Sequence, residues 1–174
     1  MPVFIDLARK HGNIALDVFS SFGLYGWPER DQPFERIFEE CRRHPKIAYH
    51  GAVSNEALRE ALKSIHILAY PSNWETSCMV LMEAMSAGIL AVHSNFAAMY
   101  ETAANFTDMY QFQDDMRDHA MLFHRMLDRA ITQYRSPATG ARLAAQKAYC
   151  DQVYNWNIRA LEWKAFLEDI QHLP

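Results

Sequence analysis

Two carboxylates carry the most chemical information in this sequence. Glu75 and Glu83 lie eight positions apart within IHILAYPSNWETSCMVLMEAMSAGILAVHSNFAAMYET, residues 65–102. An apolar run, Ile65 to Tyr70, is broken by Pro71, Ser72 and Asn73, and a helical pattern follows from Thr76 to Ala87. At such a strand-to-helix junction several backbone N–H groups lack intrahelical partners, and the helix dipole is positive there. That suits a phosphate or a sugar hydroxyl. On one continuous helix the two backbones would stand roughly 12 Å apart. Hydrolytic carboxylate pairs stand closer, at about 5–9.5 Å. The spacing therefore argues against a glycosidase-type acid/base pair and suits two contacts to a long ligand, one at each end, each to hydroxyls.

The elements that must position these groups alternate in type. Helical patterns are expected at 2–11, 34–43, 56–63, 76–87 and 97–103, and strands at 14–19, 47–50, 65–70, 89–92 and 109–112. Ser54 reads as an N-cap, and Gly88 sits at the C′ position of the 76–87 helix. The run at 65–70 has the nearly continuous apolar character of a central parallel strand. Strand and helix in alternation predict an α/β fold, a Rossmann-like doubly wound parallel sheet. In such sheets ligands bind beyond the carboxyl ends of the strands, which is where residues 73–78 fall. After Asp114 the alternation stops and three helices are expected, near 115–134, 138–153 and 155–171. The chain thus divides into a Rossmann-like part, 1–113, and a helical C-terminal extension, 114–174.

This block resembles the Glu-x7-Glu signature of retaining glycosyltransferases of two-domain GT-B architecture (group 1, family 4-like), in their C-terminal nucleotide-sugar-binding domain. The match includes "YPS" before the first Glu, "EAMSAG" after the second, and "ET" at Glu101–Thr102. Upstream, "YHGAVSNEALREAL" resembles the strand-turn-helix near the nucleotide base. Downstream, "YNWNIRALEWKAFLEDI" resembles the helix that crosses back toward the other domain. The resemblance implies transfer of a sugar from a UDP-, GDP- or ADP-linked donor to an acceptor, with retention. It implies that Glu75 contacts donor-sugar hydroxyls and is the catalytic-site carboxylate. Thr76, Ser77 and Cys78 would offer backbone N–H groups, Glu83 would bind the ribose, and Val53 would lie against the base. It implies no cofactor and no metal, since cationic side chains and a helix N-terminus neutralise the diphosphate.

The sequence departs from that pattern at its start. The family's domain opens with a strand followed by an Arg and a Lys that grip the diphosphate, and this chain begins at the next helix. Arg9 and Lys10 lie too late to take that role. The N-terminal acceptor domain is also missing, so the expectation is a fragment with weak or no transferase activity alone. A sheet without its first strand would need another segment to fill the gap, or would leave an edge open to pairing with a second copy. The alternative function is a non-catalytic nucleotide-sugar-binding or assembly module.

Composition sets the remaining bounds. With 174 residues, half of them hydrophobic, the chain suits one domain or one with a short appendage. A net charge of −4 gives no general reason to bind nucleic acid. No apolar run reaches the length of a membrane span, residues 1–10 lack a signal-peptide layout, and Cys41, Cys78 and Cys150 form no paired motif. Together these point to a cytoplasmic protein, with peripheral membrane attachment left open.

Competing readings attach to several residues. Glu75 could be a dipole-favoured acid at a helix start, and Glu83 an exposed helix residue. Ser77 or Cys78 could be a nucleophile, with a thiol pKa lowered by the helix start, but no G-x-S-x-G elbow accompanies them. The eight histidines, including His119 and His124, have no spacing that favours joint ligation. Met79, Met82 and Met85 read as a core-packing stripe. Trp156 and Trp163 are either an exposed patch or the interior of a docking helix. The loop from Gly23 to Pro33 is either a cover over the donor or a connector.

Overall fold

The structure, a computed structural model, describes residues 2–20 and 34–171. The expected loop from Gly23 to Pro33 lies outside the described residues. The chain forms two compact units, one ending at Ala61 and one beginning at Leu62.

The first unit contains α1 (Pro2–His11), β1 (Leu16–Val18), α2 (Glu35–Arg43), β2 (Ile47–Tyr49) and most of α3 (Asn55–Leu62). β1 and β2 pair in parallel, Asp17 opposite Ala48. Their small core gathers Phe4, Ala8, Cys41 and Ile47, with Leu16, Val18 and Tyr49 packed against it. Lys46 donates from Nζ to the carbonyl of Gly12 at 2.6 Å, where cationic charge suits a helix C-terminus. Ser54 caps α3 as expected, its hydroxyl accepting from the Ala57 N–H at 3.2 Å.

The second unit contains β3 (Ile67–Tyr70), α4 (Met79–Ser86), β4 (Leu90–Ser94), α5 (Ala98–Ala103), β5 (Asp108–Tyr110), α6 (Met116–Gln133), α7 (Pro137–Val153) and α8 (Trp156–Gln171). The strands form a parallel sheet in the order β3-β4-β5. All five residues of β4 are buried, whereas all four of β3 are only half-buried. This corrects the expectation that 65–70 is the central strand. Among the described residues β4 holds the centre of this sheet and β3 is an edge, because only β4 has a paired strand on both sides. Side chains alternate between the faces of a strand. Ala91 joins Leu81, Met85, Met99, Ala103, Cys78 and Cys150 in the larger core, beneath α4, α5 and α7. Alternation turns Leu90 and Val92 to the opposite face, and α6 packs on β4 and β5. The second sheet is therefore covered by helices on both faces, as a doubly wound α/β arrangement requires.

The α/β class with parallel strands is as the sequence predicts. The described strands fall into two sheets, of two and three strands, rather than one. The three C-terminal helices also appear where expected. Asp115 caps α6, accepting from the N–H groups of Arg117 and Asp118, and Ser136 caps α7 through the Thr139 N–H. α6 and α7 bury residues against the unit, while α8 buries none, leaving Trp156, Trp163, Phe166 and Leu167 exposed. No described helix is long and apolar enough to cross a membrane.

Candidate functional site

The chain leaves β3 at its carboxyl end and runs through residues 71–78 before α4 begins at Met79. The helix starts three residues later than the sequence suggests. Thr76 and Ser77 look like capping residues, but neither caps. Cys78 occupies the N-cap, with no side-chain capping bond, and its side chain is drawn into the apolar core. Glu75 therefore sits in a loop, not on the helix that carries Glu83. The separation estimated for one continuous helix does not apply to this pair.

Glu75 is half-buried and accepts a hydrogen bond on Oε1 from the Tyr70 hydroxyl. Burial, and then this bond, push the Tyr70 phenol well above its ordinary value, so it stays a donor. One phenol occupies only part of the acceptor capacity of a carboxylate, leaving other lone pairs of Glu75 for a ligand. Thr76 and Ser77 are exposed. No hydrogen bond among the described residues engages the backbone N–H of Thr76, Ser77 or Cys78. Met79 and Leu81, by contrast, donate locally to the carbonyls of Ser77 and Cys78.

Glu83 is exposed one turn into α4. Met79 and Val80, four and three residues before it, are exposed on the same face. This corrects the reading of Met79, Met82 and Met85 as a core stripe. A spacing of three falls short of a full 3.6-residue turn, so the row drifts around the helix. Met79 is exposed, Met82 half-buried and Met85 fully buried. α4 ends as expected: Gly88, at φ +76°, donates to Met85, and Ile89 donates to Ala84, the Schellman pattern. Gln146 of α7, fully buried, donates to the carbonyls of Met85 at 3.1 Å and Ile89 at 3.0 Å. α4 is thus held firmly at the end opposite the loop.

The nucleophile reading of Cys78 does not survive the geometry. The thiol is buried, and burial pushes it up to about 11 rather than down. Cys41 and Cys150 are likewise buried, with thiols raised by burial. Val53 lies in the first unit between β2 and α3 and is exposed. In the same unit the His50 ring stacks on Phe19, centroids 4.5 Å apart, and its Nε2 lies 2.7 Å from Asp17. Among the described residues no group of three or more His, Cys, Asp or Glu is placed to hold a metal ion.

Residues not anticipated from the sequence support the loop. Ser94, at the end of β4, donates to the Ser72 carbonyl at 2.8 Å. His119 of α6 is buried, with Nε2 3.2 Å from the Pro71 carbonyl and 3.0 Å from the Tyr110 hydroxyl. Neither residue carries a motif; the available signal was polarity at the end of an apolar strand and on the buried stripe of an amphipathic helix. His93 is buried too, its Nδ1 2.7 Å from the Ser94 carbonyl and its Nε2 2.8 Å from the Thr107 hydroxyl. Burial lowers its pKa below the ordinary histidine value, and the two bonds fit a neutral ring donating from Nδ1.

The sequence matches the family described as glycosyl transferases group 1 over residues 6–127. A comparison with curated proteins finds no match. Among solved structures, the chain is similar to the pneumococcal O-GlcNAc transferase GtfA in complex with UDP and GlcNAc, at a TM-score of 0.71 and 14% identity. That alignment covers 98% of this chain and 32% of the other. It is also similar to WaaG, a glycosyltransferase involved in lipopolysaccharide biosynthesis, at a TM-score of 0.53 and 20% identity, covering 94% of this chain and 50% of the other. At these identities the likeness establishes the fold. The chain spans about a third and a half of the lengths of these two proteins.

Proposed function

We propose, from the premise that this chain belongs to the group 1 glycosyl transferases, that it forms the nucleotide-sugar-binding part of a glycosyltransferase acting with retention on an acceptor. The observation that carries the proposal is the site itself. A loop at the carboxyl end of a parallel strand presents a carboxylate, Glu75, followed by three successive unengaged N–H groups and a second carboxylate, Glu83. The family match runs through all of it.

Each group has a role that its chemistry fits. Glu75, oriented by Tyr70, accepts hydrogen bonds from hydroxyls of the donor sugar. The N–H groups of Thr76, Ser77 and Cys78 donate to sugar and phosphate oxygens, helped by the positive end of α4. Cys78 contributes only backbone, because its side chain belongs to the core. Glu83 accepts from the ribose hydroxyls. In the transfer, the bond between the anomeric carbon and the phosphate oxygen breaks, the acceptor oxygen bonds to that carbon on the same face while its proton passes to the departing phosphate oxygen, and a nucleoside diphosphate leaves. Donors already aimed at the diphosphate stabilise the charge that develops on it. No metal is assigned a part in this scheme.

Calorimetric titration with UDP, GDP and ADP tests the reading. One of the three is expected to bind, and Glu83→Ala is expected to weaken it by about 1.5–3 kcal/mol, the worth of a charged hydrogen bond. Equal binding by Glu83→Ala would remove Glu83 from the ribose site. Failure of all three nucleotides to bind the wild type would sink the donor-site reading.

A further inference from the structure

The two side chains that reach the root of the loop both end on main-chain carbonyls. Ser94 has its hydroxyl on the Ser72 carbonyl at 2.8 Å. His119 places Nε2 3.2 Å from the Pro71 carbonyl. A carbonyl oxygen only accepts, so the bond to Pro71 requires the proton on Nε2, and the Tyr110 hydroxyl, 3.0 Å from the same nitrogen, then shares that proton as a second acceptor. The remaining nitrogen, Nδ1, is buried and has no hydrogen-bond partner, so all the polar work of this ring is done at Nε2. The ring is held edge-on to Tyr110 and Phe112, with centroids 5.2 and 5.5 Å away. Its bond therefore has little freedom to follow the loop.

These bonds dictate where the adjacent N–H groups point. Among the described residues no peptide bond is cis. In a trans peptide the C=O and the N–H of the next residue point in opposite directions. Pinning the Pro71 carbonyl onto α6 turns the Ser72 N–H away from α6. Pinning the Ser72 carbonyl onto the end of β4 turns the Asn73 N–H away from β4. No described hydrogen bond engages either N–H. Two more donors thus precede Glu75 at the carboxyl edge of the sheet.

We propose that His119 and Ser94 are positioning residues that hold the Pro71 and Ser72 carbonyls so that the Ser72 and Asn73 N–H groups form a donor pair for a ligand oxygen. The ligand half of this proposal rests on the donor-site reading above; the anchoring half does not. The pair extends the donor row at Thr76 to Cys78 across to the other side of Glu75. Its chemistry suits a hydroxyl or an anionic oxygen of the same polyhydroxylated phosphate ligand. His119 and Ser94 touch no ligand themselves. They act through the loop.

Three variants separate anchoring from general stability: His119→Phe, which keeps a ring but removes the donor; His119→Gln, which replaces Nε2–H with an amide N–H; and Ser94→Ala. Two readouts are taken on the whole chain: backbone order parameters at residues 72–75 from 15N relaxation, which do not require an engaged N–H, and affinity for UDP, GDP and ADP by calorimetry. His119→Phe is expected to lower the order parameters at 72–75 from about 0.85, the level of rigid backbone, toward about 0.6, that of a flexible loop. It should weaken the bound nucleotide by about tenfold, a typical consequence of one lost hydrogen bond, and His119→Gln should restore most of both. Ser94→Ala is expected to act in the same direction. Unchanged order parameters in His119→Phe, or equal loss in His119→Phe and His119→Gln with both folded by circular dichroism, would overturn the anchoring role. Lower order parameters with unaltered nucleotide affinity would overturn the donor pair and leave the anchors standing. If the wild type binds no nucleotide, the donor pair falls with the donor site, and the order parameters alone still decide the anchors.

Discussion

The two sheets are built from the same parts and hold them differently. Across the β1–β2 sheet, buried or half-buried positions alternate with exposed ones, and its core cluster gathers four buried residues, Phe4, Ala8, Cys41 and Ile47. The β3–β4–β5 sheet has a wholly buried central strand and a core drawn from α4, α5, α7 and β4. The better-packed unit carries both carboxylates, the unengaged N–H groups and the buried polar anchors. Recognition of a ligand through backbone donors needs a backbone that does not move, and dense packing supplies it.

The sharpest way to break this contrast is to excavate each core in turn. Leu81 is fully buried between α4 and the sheet, and Leu81→Ala is expected to cost about 2–5 kcal/mol. Ile47→Ala should fall at or below the lower end of that range, because its smaller cluster sits close to solvent and can collapse around the gap. Urea unfolding of both variants measures the difference. Equal costs would mean that the two units are equally well packed and that the contrast is only one of area.

A second test uses the cysteines, one in the smaller core and two in the larger. All three are buried with raised thiol pKa values, so little thiolate is present near neutral pH. Iodoacetamide at pH 7.5 should label none of them at the rate of a free thiol. Cys78, at about 11, has a thiolate fraction about three-hundredfold below that of an ordinary thiol near 8.5. Rapid labelling of Cys78 in the folded protein would revive a nucleophilic role. Labelling of Cys41 ahead of Cys78 and Cys150 would instead sharpen the comparison, since it would show the first unit opening more readily.

Histidine titration probes the denser unit at its centre. His93 is neutral in β4, its pKa lowered by burial more than its neighbours raise it. Above the unfolded value, near 6.5, both states are neutral and the site costs nothing. As pH falls below that value the unfolded chain takes up a proton that the folded chain refuses. Stability is then lost down to the folded pKa, at up to about 1.4 kcal/mol per pH unit. Urea unfolding between pH 7.5 and 5.5 should show this slope, and His93→Gln should flatten it. An equal slope in the variant would assign the effect to other groups.

The same contrast explains what was legible in the sequence. Ser54, Gly88 and the glutamate spacing announce themselves, because capping, left-handed geometry and paired charge each demand particular residue types. The start of α4 was hidden because Thr76 and Ser77 offer caps that tertiary packing of Cys78 overrides. The rank of the strands was hidden because Ile67–Tyr70 and Leu90–Ser94 are both apolar, and only neighbours decide which is central. The anchors were hidden because a histidine on an amphipathic helix looks the same whether it faces Pro71 or water. The two carboxylates were thus legible as a pair, while the loop that separates them from a common helix was not.

Turn geometry gives the finest version of the comparison. In the first unit the described positive-φ positions are Gly12 and Gly51, residues for which such angles cost little. In the second, Ala97, Ala104 and Asn105 adopt positive φ alongside Gly88. Ala97 is the most demanding, at φ 46° and ψ −130°. With the Met99 N–H donating to the Phe96 carbonyl at 3.1 Å, it occupies the first central position of a type II′ turn, which favours glycine. Strain of this kind costs on the order of 1–3 kcal/mol and persists only where surrounding packing enforces it. Met99, fully buried two residues later, and α5 on α4 provide that packing. Ala97→Gly is therefore expected to raise stability by about 1 kcal/mol, the strain released less the entropy glycine adds to the unfolded chain. Thermal unfolding reads the gain directly. A loss instead would mean that the Ala97 methyl contributes packing worth more than the strain it causes. The denser unit would then be holding that turn by contact rather than tolerating it.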